Sequence, residues 1–213
     1  SSVTTGLENT LIGGLAGDAL TDADSNVAVG YLSLSTNVLG SRNTAVGDNA
    51  LYATNPNTAS NTYNVSVGYH AGRLINTGIQ NTIVGSLAGD AITTGSYNIA
   101  IGTNGGGGVT TGSQNIFIGQ GTGMAALTGD LNTVIGDSAG AALTTGNTNV
   151  AVGGSSLSSE IQGDRNVAVG HAALGQQSNS SDLDVYNTAV GYFAGGLVTT
   201  GIENTIIGGL AGD

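Results

Sequence analysis

The side chains that could do chemistry are few and poorly grouped. The chain holds two histidines, His70 and His171, and no cysteine. They sit at neighbouring but non-identical positions of a repeat, six units apart, or about 29 Å along a stack of strands. No single metal ion could bind both. Asp22 and Asp24, and Asp182 and Asp184, each offer two carboxylates at the spacing of a partial calcium site. Hard cations need several more oxygens than that, and no EF-hand or nonapeptide loop accompanies either pair; solvated loop acids are the simpler reading. Asp18, Asp90 and Asp213 recur at one repeat position and read as polar rungs. The run Gly105–Gly108 follows a strand but is no phosphate loop, because the chain has no Lys to reach a phosphate. Asn64-Val65-Ser66 and Asn179-Ser180-Ser181 match the glycosylation sequon. Asn64 belongs to the repeat and is expected to be inaccessible, whereas Asn179 is expected in an open loop. No Ser–His–acid spacing stands out. No catalytic, metal or cofactor-binding residue is assigned, and a non-enzymatic role is expected.

What must position these residues is a 17-residue repeat, plainest at 78–94, GIQNTIVGSLAGDAITT. Its anchors are Asn9, Asn26, Asn43, Asn64, Asn81, Asn98, Asn115, Asn132, Asn149, Asn166, Asn187 and Asn204. Each is followed four residues later by glycine: Gly13, Gly30, Gly47, Gly68, Gly85, Gly102, Gly119, Gly136, Gly153, Gly170, Gly191 and Gly208. The spacing is 17 except after Asn43 and Asn166, where it is 21. The two extensions, near 52–61 and 175–184, are polar and expected as surface loops. Val3–Asp18 differs from Val198–Asp213 only at Leu7/Ile202 and Leu11/Ile206, so this chain reads as slightly more than one copy of a larger repeat.

The residue after each anchor is β-branched (six Thr, four Val, two Ile), and the third after it is always Val or Ile. The residue between is apolar in all copies but one, Ser66. A strand apolar on both faces is buried on both. The pattern therefore predicts an all-β, repetitive β-solenoid (a β-roll) of twelve coils, each a strand, a corner, a second short strand and a turn, in one continuous domain over 1–213. No segment carries a capped helical pattern. The asparagines are expected to stack as a ladder at a corner. With the first and third strand residues, Ile118 among them, taken as the coil interior, the middle column, Phe117 included, is expected to face outward. Burying that column would call for association into a homotrimer.

Composition narrows the partners. Fourteen acids against three Arg give a net charge of −11, which disfavours nucleic acid and anionic membranes. No apolar run reaches the roughly 20 residues of a membrane-spanning helix.

The units Asn43–Thr54 (NTAVGDNALYAT), Asn166–Gly175 (NVAVGHAALG) and Asn187–Gly201 (NTAVGYFAGGLVTTG) resemble a repeat of phage tail fibres and bacterial surface proteins. They are more distantly similar to the head repeats of YadA-like trimeric autotransporter adhesins, whose period is shorter. The resemblance covers essentially the whole chain. It implies a trimeric β-solenoidal fibre on a cell or virion surface, with the chain itself as principal partner and a host receptor or glycan as a further one. Relatives often end in a self-cleaving chaperone domain, which nothing here matches. The alternative is an ice-binding or glycan-binding rod, suggested by the pairs Thr93-Thr94, Thr110-Thr111, Thr144-Thr145 and Thr199-Thr200. Val38-Leu39, Asn76-Thr77 and Ile161-Gln162 interrupt that column.

Overall fold

A computed structural model describes residues 3–213. These residues form a parallel β-solenoid without a helix, one coil per repeat. The strands are β1 (Thr10–Ile12), β2 (Val27–Val29), β3 (Gly40–Ser41), β4 (Thr44–Val46), β5 (Ser60–Asn61), β6 (Val65–Val67), β7 (Thr82–Val84), β8 (Ile99–Ile101), β9 (Ile116–Ile118), β10 (Thr133–Ile135), β11 (Val150–Val152), β12 (Val167–Val169), β13 (Thr188–Val190) and β14 (Thr205–Ile207). All but β3 and β5 join one parallel 12-stranded sheet in chain order. Equivalent residues pair throughout: Thr133 lies between Ile116 and Val150, and Val134 between Phe117 and Ala151. β3 and β5 form a separate two-stranded sheet beside the first extension.

The second stretch of each coil is not the short strand that its β-prone residues suggest. Among the described residues it is turn, bend or irregular apart from one parallel bridge between Val109 and Leu127, and is tied to the next coil by single rungs such as Thr93 N–H to the Thr110 carbonyl (2.8 Å) and Thr144 N–H to Ile161 (2.8 Å). Tight corners leave no room for a longer ladder. The residue before each anchor is left-handed in all twelve coils, with φ from 51° at Tyr63 to 63° at Arg42. The sixth residue after the anchor is left-handed too, as at Leu15, Leu87 and Phe193. Such a conformation costs a side-chain-bearing residue about 1–2 kcal/mol. It persists because the stack fixes the backbone above and below.

The anchor glycines have a different reason. Gly136 has φ +131°, and a Cβ there would lie 2.6 Å from the Gly153 carbonyl oxygen of the next coil. The same approach recurs up the stack, so no other residue fits without separating the coils.

The middle strand residue points the opposite way from the sequence expectation. Ala28, Ala45, Ser66, Ile83, Ala100, Phe117, Val134, Ala151, Ala168 and Ala189 are fully buried inside their own coils. Ile118 and its equivalents flank the strand on the outside. Parity explains the reversal. The ladder asparagine is itself inside, and strand side chains alternate, so the second residue after it is also inside. The middle column is therefore core and supplies no argument for association.

The core is filled by two interchangeable schemes. Where the eighth residue after the anchor is Gly, an aliphatic residue three positions further on is buried in most coils: Gly72 with Ile75, Gly89 with Ile92, Gly140 with Leu143; after Gly123 the buried residue is Leu127, one position later, and after Gly195 Val198 is only partly buried. Where the eighth residue is Leu, that later position is polar and buried: Leu34 with Asn37, Leu51 with Thr54, Leu157 with Glu160, Leu174 with Gln177. In all four Leu coils the middle strand residue is Ala, whereas Ile83 and Val134 face Gly89 and Gly140. A Cβ on Gly140 would meet Leu143 Cδ1 at 3.0 Å and Val134 Cγ1 at 3.1 Å, so one volume is filled from either side. Phe117 fills more than its own coil, packing under Gly106 of the coil before and against Gly123 of its own.

Candidate assembly face and its internal ladder

The anchor asparagines form one uninterrupted column. Each side-chain Oδ1 accepts the backbone N–H of the next anchor, from Asn26 on Asn9 (2.9 Å) to Asn204 on Asn187 (2.8 Å). In most coils the next Nδ2 also donates to that oxygen, for example Asn132 to Asn115 at 3.1 Å. The same Nδ2 reaches the glycine carbonyl that precedes the following anchor, as Asn132 does to Gly146 (2.9 Å). Asn26 through Asn187 are buried. Asn64 is thus inaccessible to modification.

The two 21-residue coils would break this pattern, and in each the sequence supplies a substitute donor. The Thr62 hydroxyl donates to Asn43 Oδ1 (2.8 Å), and Gln177 Nε2 donates to Asn166 Oδ1 (3.0 Å). The extensions are not simply loops leaving the rod. Around the second, Glu160 is fully buried with no cation beside it among the described residues, and six donors converge on its carboxylate. The backbone N–H groups of Ile161, Gln162, Gly163 and Asn179 reach Oε1 at 2.8–3.2 Å. The side chains of Gln177 (2.8 Å) and Asn179 (3.0 Å) reach Oε2. Asn179, expected in an open loop, is only 5% exposed and engaged. It is no glycosylation acceptor in this fold. Asn37 plays the smaller version of this role before the first extension, closing its turn onto Gly40 N–H (2.8 Å).

The remaining candidates do not converge. His70 stacks on Tyr69 with ring centroids 3.9 Å apart and lies 4.0 Å from Asp48, while His171 stacks on Tyr192 at 5.6 Å. Asp22 accepts from the Thr5 hydroxyl and Asp24 from Leu7 N–H. Asp184 pairs with Arg165 and accepts from the Tyr186 hydroxyl. Asp90 has its pKa raised, chiefly by burial; Arg73, its own backbone N–H and His70 pull the other way. No group of three metal-ligating side chains occurs among the described residues. The threonine pairs are partly spent internally, since the hydroxyls of Thr93, Thr110 and Thr144 donate to the next coil at 3.0–3.2 Å.

What the fold does present is the outer face of the 12-stranded sheet. The first and third strand residues make two columns of Thr, Val and Ile with no charge in either. Stacked strands set a repeat of about 4.8 Å along the rod, with about 6.8 Å between columns. The face runs roughly 53 Å from β1 to β14. Val65, Val67, Val84, Ile101 and Val190 remain 36–37% exposed even though like residues flank them in register. A bare apolar strip of this length, on the order of 500 Å², is near the upper limit for a monomer's surface. Beyond each edge stands a further exposed column: the residue before the anchor on one side, and the fifth residue after it on the other. No protein-family model, no curated protein and no solved structure matches the chain.

Proposed function

We propose that the chain is a structural shaft or head segment of an extracellular fibre or adhesin. Copies of it assemble, as a homotrimer, by burying the strand face around an axis along the stack. The observation that carries this reading is the uncharged, twin-column β-branched face. Of its 24 side chains, 18 are Val or Ile. Full burial of such a side chain contributes about 1.5–3 kcal/mol. About a third remains to be hidden at Val65, Val67, Val84, Ile101 and Val190 and less at most of the others, so at most roughly 0.5–1 kcal/mol apiece is available, an upper bound of about 9–18 kcal/mol per chain. Association costs about 4–15 kcal/mol, a sum of the same size. The placement on a cell or virion surface rests on the resemblance of the NTAVG-type anchor strands.

Sedimentation at micromolar concentration tests this directly, with a trimer mass expected. Ile118→Asp should give a folded but dissociated chain, because it charges the outer face. Phe117→Asp should prevent folding, because it charges the core. A wild-type monomer at micromolar concentration would defeat the reading.

A second reading has one observation in its favour. Six of the twelve first-column residues are Thr beside an unbroken Val/Ile column, a flat lattice of hydroxyls and methyls able to order water. An ice-binding rod would use this same face, so it needs the face free. Thermal hysteresis from a monomer would select it.

A further inference from the structure

The two exposed columns beside the strand face carry matching residues in coils 3, 4, 7 and 11, and we infer that copies of this chain associate parallel and level, each presenting one edge to the other edge of its neighbour. The inference rests on the assembly proposed above. Rotation about an axis along the stack is parallel and level; what is added is the edge-to-edge pairing and the residues that make it.

Within coil 3, Arg42 stands on one edge and Asp48 on the other. Coil 4 carries Tyr63 and Tyr69 at the same two places, coil 7 Gln114 and Gln120, and coil 11 Tyr186 and Tyr192. Within one chain the two edge positions are six residues apart across an extended strand, about 17 Å or more, too far to touch. Rotation about an axis along the rod brings one chain's first edge to its neighbour's second edge at equal height. Arg42 then meets the partner's Asp48, Tyr63 meets the partner's Tyr69, and Gln114 meets the partner's Gln120. No carboxylate faces a carboxylate in any coil.

The side chains are placed for this. Arg42 donates from Nη1 to the Tyr63 hydroxyl (2.7 Å) with its guanidinium 5.6 Å over that ring, so the pair stands as one unit along the edge. No carboxylate among the described residues pairs with Arg42, although its counterpart Arg165 has Asp184. Asp48 is 45% exposed and engages only Asn49 and, at 4.0 Å, His70. The tyrosines are 43–60% exposed, a large apolar area to leave in water on a single chain.

The antiparallel alternative loses these matched pairs. Turning one rod end over end sets coil 3 against coil 10 with like edges facing, and places Arg42 opposite the partner's Arg165. Arg42 would then lose the carboxylate that the level, parallel arrangement offers it and face a guanidinium already paired with Asp184.

The absence of native cysteine makes the test direct. Gln114→Cys with Gln120→Cys in one chain, oxidised after assembly, should give a covalent trimer on a denaturing gel. Disulfides need Cα atoms within about 7 Å, which excludes a link inside one chain. Each single variant alone should stay uncrosslinked, and a co-refolded mixture of the two should give covalent dimers. A trimer in which the double variant does not crosslink, or in which Gln114→Cys alone does, overturns the edge pairing, while its mass leaves the association itself standing. Sedimentation of the unmodified chain as a monomer overturns both. As a second arm, Arg42→Asp or Asp48→Arg alone should raise the concentration needed for assembly roughly tenfold, through several repulsive contacts at once. The combined reversal should restore it. Equal weakening by the combined reversal would count against the pairing.

Discussion

Exchanging the two core schemes within one coil offers a quantitative test of how the interior is packed. Coil 9 uses Ala151 under Leu157, both fully buried. Ala151→Ile alone pushes three extra carbons against Leu157, an overpacking that should cost about 1–3 kcal/mol. Leu157→Gly alone leaves a cavity worth about 2–5 kcal/mol, less about 1–2 kcal/mol because Leu157 sits at φ 50° and Gly relieves that strain. Independent effects would sum to roughly 1–7 kcal/mol. The double variant instead recreates the Ile83–Gly89 pair, with Glu160 still standing where that coil has Ile92, and a net loss of one carbon. It should lie within about 1 kcal/mol of the parent. The assay is urea unfolding followed by circular dichroism at fixed protein concentration, comparing midpoints at matched slopes. Additive midpoint shifts would refute the idea that the two positions fill one volume.

Other outcomes follow from the same core. Asn132→Ala strands the buried N–H of Asn149 and the carbonyl of Gly146, and should destabilise by at least about 3 kcal/mol in the same urea assay. Ser66 holds a buried hydroxyl with no hydrogen-bond partner, so Ser66→Ala should raise the unfolding midpoint by the equivalent of about 1 kcal/mol. Asp90 has a raised pKa in the fold, so it binds its proton more tightly there than in the unfolded chain. Its contribution is greatest below the unfolded carboxylate range and is lost as pH rises through the folded value. Thermal melts across that window should show Asp90→Asn flattening the decline.

Period, fold class and coil count are legible in the sequence because one Asn–Gly spacing fixes them. The strand's orientation was equally present, but only to a reader who let Asn81 set the parity of Thr82, Ile83 and Val84. Taking apolar character alone as the guide reversed it, since Ile83 and Val84 are equally apolar. The corners were not legible. Nothing in the types of Leu15, Tyr97 or Phe193 suggests a left-handed backbone, which neighbouring coils impose on them. Glu160 and Asn179 were hidden for a related reason: nothing in the type of a lone carboxylate, or of an amide in a polar extension, marks it as buried. Only the fold shows the backbone N–H groups that turn toward Glu160. The candidate face could have been found from the two β-branched columns once parity was right.

Apart from Phe117, which fills the coil before it, and Glu160, which is held by Gln177 and Asn179 of the next coil, the core schemes close within single coils, while the joints between coils are made by the same Asn and Gly columns throughout. This has a consequence for heredity. A coding segment for one such coil can be duplicated, lost or traded with another without requiring compensating change elsewhere in the gene. A shift of one or two residues inside a coil, by contrast, displaces an asparagine from its column. Length in such a lineage should therefore vary in whole coils, and near-identical stretches such as Val3–Asp18 and Val198–Asp213 are the natural places for unequal exchange.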